Sequence, residues 1–175
     1  MISSLRRIFS LGMASLALSA ALLLAHAAGV HSAAQDATGN AGAKQAAWSK
    51  QCSGPNKDVC FIVQQVVANG RVVMVGSFGY KSQTEPVAVI TVPLNTLLKS
   101  GLALKVDDKK QSIAQFDICV RQGCRVEVLL SADMIGDLRS GKFLNIGWRQ
   151  ADGKNQTLRF SLDDFAAGWD SVAAK

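Results

Sequence analysis

The stretch IAQFDICVRQGCRVEVLL, Ile113–Leu130, decides the reading of this chain. Ala114, Phe116 and Ile118 alternate with Ile113, Gln115 and Asp117. Beyond the turn, Val126, Val128 and Leu130 alternate with Arg125, Glu127 and Leu129. A period of two marks strands that bury one face, so the segment predicts an antiparallel hairpin with Cys119 and Cys124 on its two arms. Gly123 can supply a positive φ at the turn. The two thiols could form a redox centre, half of a metal site or a covalent staple. A redox couple generally uses C-x-x-C at a helix N-terminus, where the dipole and tight spacing lower one thiol's pKa. C-x4-C at a strand turn lacks both features, so the spacing favours a bridge that fixes hairpin register.

The compartment bears on the same question. Arg6 and Arg7 form a positive start, an apolar run follows from Ile8, and Ala25-His26-Ala27 is a small-x-small cleavage motif. Together they read as a secretory signal peptide over residues 1–27. The alternative is an uncleaved membrane anchor, but Ser, Gly and many Ala residues dilute the run, which is at the short end of what spans a bilayer. Export places the chain where paired thiols persist as disulfides. The four cysteines then fit two bridges, and closeness in sequence favours Cys52–Cys60 and Cys119–Cys124 over the other connectivities.

Removing 27 of the 175 residues leaves about 148, the usual size of one domain. Residues 28–47 are small and polar and read as a flexible Ala/Gly-rich leader; the domain is placed at 48–175. Net charge is +6, falling to +4 without Arg6 and Arg7. Lys99, Lys105, Lys109, Lys110, Lys142 and Lys154 stand singly or in pairs beside turns, with acids among them. That pattern is a solvated surface rather than the concentrated basic stripe of a nucleic-acid binder.

Short strands fill the domain. CFIVQQVV (Cys60–Val67) runs through Asn69-Gly70, a strong hairpin signal, into RVVMVGSF (Arg71–Phe78). PVAVITVP (Pro86–Pro93) is apolar on both faces, which predicts a central or sandwiched strand. LALKV (Leu102–Val106) is another strand. Leu144, Ile146 and Trp148 share a face, and Leu158, Phe160 and Leu162 return after the turn at Ala151–Lys154. Two segments have helical spacing: Ser131–Gly141, capped by Ser131 and stopped by Gly141, and Ser161–Ala174, with Ser161 as cap and Asp163 and Asp164 in the first turn. Trp148 and Trp169 fall on apolar core faces, while Trp48 is unassigned. The fold class is mainly β: an antiparallel β-sandwich or partly open barrel with one or two short helices.

The chemistry the domain lacks is equally informative. Both histidines, His26 and His31, lie in the signal region or beside its cleavage sites, so the domain has neither the usual general base nor an imidazole metal ligand. Carboxylate pairs remain open, yet Asp58, Glu85, Asp107, Asp108, Asp117, Glu127, Asp133, Asp137, Asp163 and Asp164 mostly sit at turns or helix starts. Asp107-Asp108 lacks the alternating oxygen ligands of a calcium loop. No catalytic, cofactor-binding or metal-binding residue is assigned, and no cofactor is expected.

PLNTLLKSGLALKVDD, FDICVRQGCRVEVLLSADMIGDLRSGK and RQADGKNQTLRFSLDDFAAGWDSV resemble the invasion associated locus B family of exported alphaproteobacterial proteins, from Trp48 to Val172. The resemblance implies export, a mainly β domain with paired cysteines, and a link to host-cell invasion; it supplies no catalytic residue. Two positions depart from the family's habit: Asn95 stands where a Gly tends to follow the first proline of the mid-domain segment, and Asp164-Phe165 stands where "GF" tends to appear. Both bear on local turn geometry.

The expectation is a non-enzymatic periplasmic, outer-membrane-associated or secreted interaction protein with an envelope or host protein partner. It binds no nucleic acid and meets membranes only through an uncleaved signal or a partner. The alternatives are a carboxylate-dependent hydrolase, which needs two acids converging about 5 to 10 Å apart, and a small-ligand carrier with an apolar cavity.

Overall fold

The computed structural model describes residues 42–82 and 84–173. The segment read as a signal peptide and most of that read as a leader fall outside them. Two antiparallel sheets carry the fold. The larger contains β1 (Lys44–Gln45), β2 (Ser49–Ser53), β3 (Val59–Ala68), β4 (Arg71–Ser82), β5 (Glu85–Val92), β8 (Ile118–Val120) and β9 (Gly123–Leu129). Its order is β1-β3-β4-β5-β9-β8, with β2 beside β1 on the same edge of β3. The smaller runs β11-β10-β6-β7, from β6 (Leu102–Val106), β7 (Ser112–Ala114), β10 (Phe143–Arg149) and β11 (Asn155–Ser161). No strand pairing among the described residues closes the sheets into a barrel, so the sandwich is the architecture.

Local chemistry explains the main hairpins. Asn69 and Gly70 both take positive φ, 53° and 71°, the geometry that matches the twist of paired strands in a two-residue turn. β5 is central, between β4 and β9, as its two apolar faces predict. At the tip of the β8–β9 hairpin Gly123 has φ 143°, and a Cβ there would collide with the Val92 carbonyl oxygen. Only glycine lets this hairpin lie against the end of β5.

One cluster of buried residues joins both sheets. At its centre Phe78 is fully buried and meets Trp48, Phe165 and Phe160 edge-on, with ring centroids 5.4, 5.4 and 6.4 Å away. Such pairs contribute about 0.5–1.5 kcal/mol each beyond their buried area. Gly76 leaves room for the Phe160 ring, whose Cζ would stand 2.7 Å from a Cβ. The indole of Trp48 completes the cluster, and its Nε1 donates to the Ser161 carbonyl at 2.9 Å. Buried Gln64 donates to the same oxygen at 3.1 Å. The last residue of β11 is thus held by one side chain from β3 and one from the residue just before β2.

The structure differs from the sequence expectations in three places. The order of the large sheet begins upstream of Trp48, because Lys44–Gln45, assigned to the leader, pair with Val66–Val67. The alternating run Ile113–Ile118 is not one strand: β7 belongs to the small sheet and β8 to the large one, and Gln115–Asp117 carry the chain between them. Ile118 therefore pairs with Arg125 and is exposed instead of sharing a core face with Ala114 and Phe116. Helix α1 (Ala132–Ser140) is capped as predicted, Ser131 Oγ accepting from Met134 N at 3.2 Å. Helix α2 (Phe165–Val172) is not capped by Ser161, which ends β11 and donates to Asp163; Asp163 and Asp164 precede its first turn.

Asp164 is the N-cap by position, with φ 61° and no side-chain bond. Asn95 has φ 69°. These are the two positions where the resembling family tends to carry glycine, and both adopt the left-handed conformation glycine takes freely and Asn or Asp tolerates best among other residues. The departures keep the turns.

Candidate interaction surface

The four cysteines form two bonds, Cys52–Cys60 and Cys119–Cys124. Each joins residues directly opposite one another in antiparallel strands, with Cα atoms 4.0 and 3.9 Å apart. The bridges sit at opposite edges of one sheet: the first ties five-residue β2 to β3, the second three-residue β8 to β9. Short edge strands have few ladder bonds to hold them, so a covalent cross-strand link is most useful there. Neither thiol pair is free to act as a redox couple or metal ligand in this state, and no free cysteine is present among the described residues.

Between these clamped edges no described residue covers the outer face of the large sheet. Register lays its side chains in rows: Gln65, Val75, Thr91 and Arg125; then Val63, Ser77, Val89 and Glu127; then Phe61, Gly79, Val87 and Leu129. All of these residues except Val63 and Leu129 line a concave groove of about 750 Å³, floored chiefly by Phe61, Val75, Val87 and Val89. Gly79 helps to shape it, since a Cβ there would stand 2.9 Å from that of Phe61, its partner across the strands. Lys81 on β4 reaches Glu127 on β9 at 2.7 Å, so an exposed ion pair spans the intervening β5. Glu127 holds the Lys81 ammonium above its ordinary pKa, first by hydrogen bonding and then by charge. The sequence reading of β5 as central or sandwiched holds in its first form: β5 is central in the sheet, and its outer apolar row is the floor of this groove.

Glu127, Glu85 and Asp117 share the surroundings of Lys81; several other acids are engaged separately. Asp107 accepts from the amides of Lys142 and Phe143 at 2.8 and 2.9 Å, and those bonds hold its carboxyl below the usual range against partial desolvation. Asp117 accepts from Glu127 N at 2.6 Å, Asp152 pairs with Lys154, and Asp170 takes both terminal nitrogens of Arg139. Asp152 and Asp170 are also displaced downward, each mainly by its side-chain hydrogen bond. A general acid needs the opposite displacement. No group of three or more His, Cys, Asp or Glu gathers as a metal site among the described residues. Nor does any described helix have the length and apolarity to cross a membrane.

Two antiparallel sheets, a covalent clamp at each edge of the larger one and an open apolar face define a disulfide-stapled β-sandwich. The model of the invasion associated locus B protein family matches residues 48–173, and the chain belongs to that family. It is similar to invasion protein B of Bartonella bacilliformis, with 29% identity over 63% of this chain and 61% of that protein's length. It is also similar to an invasion protein B homologue of Brucella abortus, with 25% identity over 73% and 76%. The crystal structure of invasion associated protein B from Bartonella henselae superimposes with a TM-score of 0.66 at 28% identity, covering 71% of this chain and 90% of that one.

Proposed function

We propose that the chain is exported and works in the cell envelope as a non-enzymatic interaction protein whose open sheet face receives a protein partner. The concave apolar face carries this reading. Its backbone groups are already paired within the sheet, so an occupant engages side chains rather than adding a strand; rows of β-branched residues suit the apolar side of an amphipathic helix. The free edges are less suited to strand addition. β2 and β8 are short, and β11 is partly occupied by the side chains of Gln45, Trp48 and Gln64. The relatives' names associate them with invasion, and a role in host-cell invasion extends that association to this chain. The hydrolase alternative is not favoured, because every described carboxyl with a resolved shift is displaced downward, away from what a general acid needs. A carrier would need an apolar cavity of its own, whereas the space between the sheets is filled by the Phe78 cluster.

Crosslinking in intact cells tests the reading with Val89→Asp, which charges the groove floor without touching the inter-sheet core. A discrete partner captured by the unsubstituted chain and lost with Val89→Asp is expected. Equal recovery by both, at unchanged unfolding temperature, would remove the face from the account. Export has its own test: the mature N-terminus should follow Ala27, and a cytosolic chain with reduced cysteines would contradict it.

A further inference from the structure

A second exposed hydrophobic feature lies apart from the apolar groove. β5 leaves the sheet at Val92, and the loop that follows presents Leu94, Leu97 and Leu98 with 50%, 37% and 44% of their surface exposed. This loop is built rather than slack. Leu97 N donates to Arg149 O at 2.8 Å and Ala151 N to Asn95 O at 2.9 Å, while Thr96 Oγ1 and Ser100 Oγ donate to Pro93 O and Leu97 O. Backbone groups paired in this way can approach hydrocarbon without being stripped of water unpaired.

Charge at the same end is one-sided. Register brings the β3–β4 turn, the β8–β9 tip, β1 and the β10–β11 turn to the end at which Leu94 emerges. They carry Lys44, Arg71, Arg121, Arg149 and Lys154, and the leucine loop itself carries Lys99, all exposed. The only acid in these segments is Asp152, which is paired with Lys154 at 2.8 Å. The other five cations make no ion pair among the described residues.

We propose that this end of the sandwich docks directly on an anionic lipid surface. Leu94, Leu97 and Leu98 enter the boundary of the acyl region, and Lys99, Arg121 and Arg149 meet headgroup phosphates. Exposed leucines ringed by unpaired cations are the combination that lies in a membrane interface, where neither feature alone suffices. The strands then stand on the surface, and the groove opens sideways, free for its partner. Direct lipid contact replaces the sequence expectation of membrane association only through an uncleaved signal or a partner. The proposal rests on different residues from the groove, so either can fail alone.

The test uses the chain from residue 28 onward, which retains both sheets and the whole described core, with flotation on phosphatidylglycerol–phosphatidylcholine vesicles and on phosphatidylcholine alone. Binding to the anionic vesicles is expected, weakening as salt rises. Replacing Leu94, Leu97 and Leu98 by serine, or Arg121 and Arg149 by glutamate, should each reduce it at least tenfold at unchanged unfolding temperature. Lys109→Glu, at the opposite end, should leave it intact. A Leu98→Trp variant should shift its emission to the blue on the anionic vesicles alone. Equal binding to both vesicle types would overturn the proposal. So would full binding by the triple serine variant, especially if duplex DNA competes, because the contact would then be charge alone.

Discussion

Replacing Cys119 and Cys124 together by alanine isolates what the hairpin bridge contributes. The bonded residues are five apart in sequence, and closing so short a loop removes entropy from the unfolded chain worth roughly 2 kcal/mol. The Cys52–Cys60 loop, eight apart, gives roughly 2.6 kcal/mol by the same relation. Cys124 is also buried in the core cluster, so its loss leaves a small void, whereas Cys119 is exposed. With a urea slope of about 2 kcal/mol per molar, the midpoint of the double alanine variant should fall by roughly 1 M, with a somewhat larger slope because the unbridged chain expands further. Tryptophan fluorescence reports the transition. An unchanged midpoint would refute the staple. Gly123→Ala keeps both sulfurs yet should cost more than about 1 kcal/mol, since the new Cβ meets the Val92 carbonyl oxygen in a backbone conformation that disfavours it.

Other consequences follow from single residues. Phe78→Ala empties the centre of the aromatic cluster and should lower stability by about 3–5 kcal/mol in the same urea experiment. Ser131→Ala removes the α1 cap at a cost of about 1 kcal/mol. Asp107→Asn weakens the acceptor for the Lys142 and Phe143 amides. Because Asp107's folded pKa is depressed, its ionised form stabilises above the ordinary carboxylate pKa, and that gain is lost as pH falls through the folded value. The two unfolding temperatures should therefore differ near neutral pH and converge in acid, as calorimetry across pH would show.

What could be read from sequence was mostly local. Asn69-Gly70, the alternation in Val126–Leu130, the Ser131 cap and the short cysteine spacings each act within a few residues, and the strands, α1 and both bridges follow from them. The crossing at Gln115–Asp117 was hidden because its alternation continues through the change of sheet. Asp164 was misread because acids before a helix resemble acids within it, and only the backbone shows its left-handed φ. The two-sided apolarity of Pro86–Pro93 is legible in sequence and fits either a central or a sandwiched strand, since periodicity says a face is apolar and not what covers it. The basic end is assembled from segments between Lys44 and Lys154, each carrying a charge that looks isolated in sequence.

The most direct measurement places a photoreactive side chain at position 89, on the groove floor, and a matched one at Thr157 on the small sheet, in cells producing the full chain. The account predicts a discrete crosslinked protein from position 89 and none from position 157. Silence at position 89, or the same adduct from both positions, would contradict it.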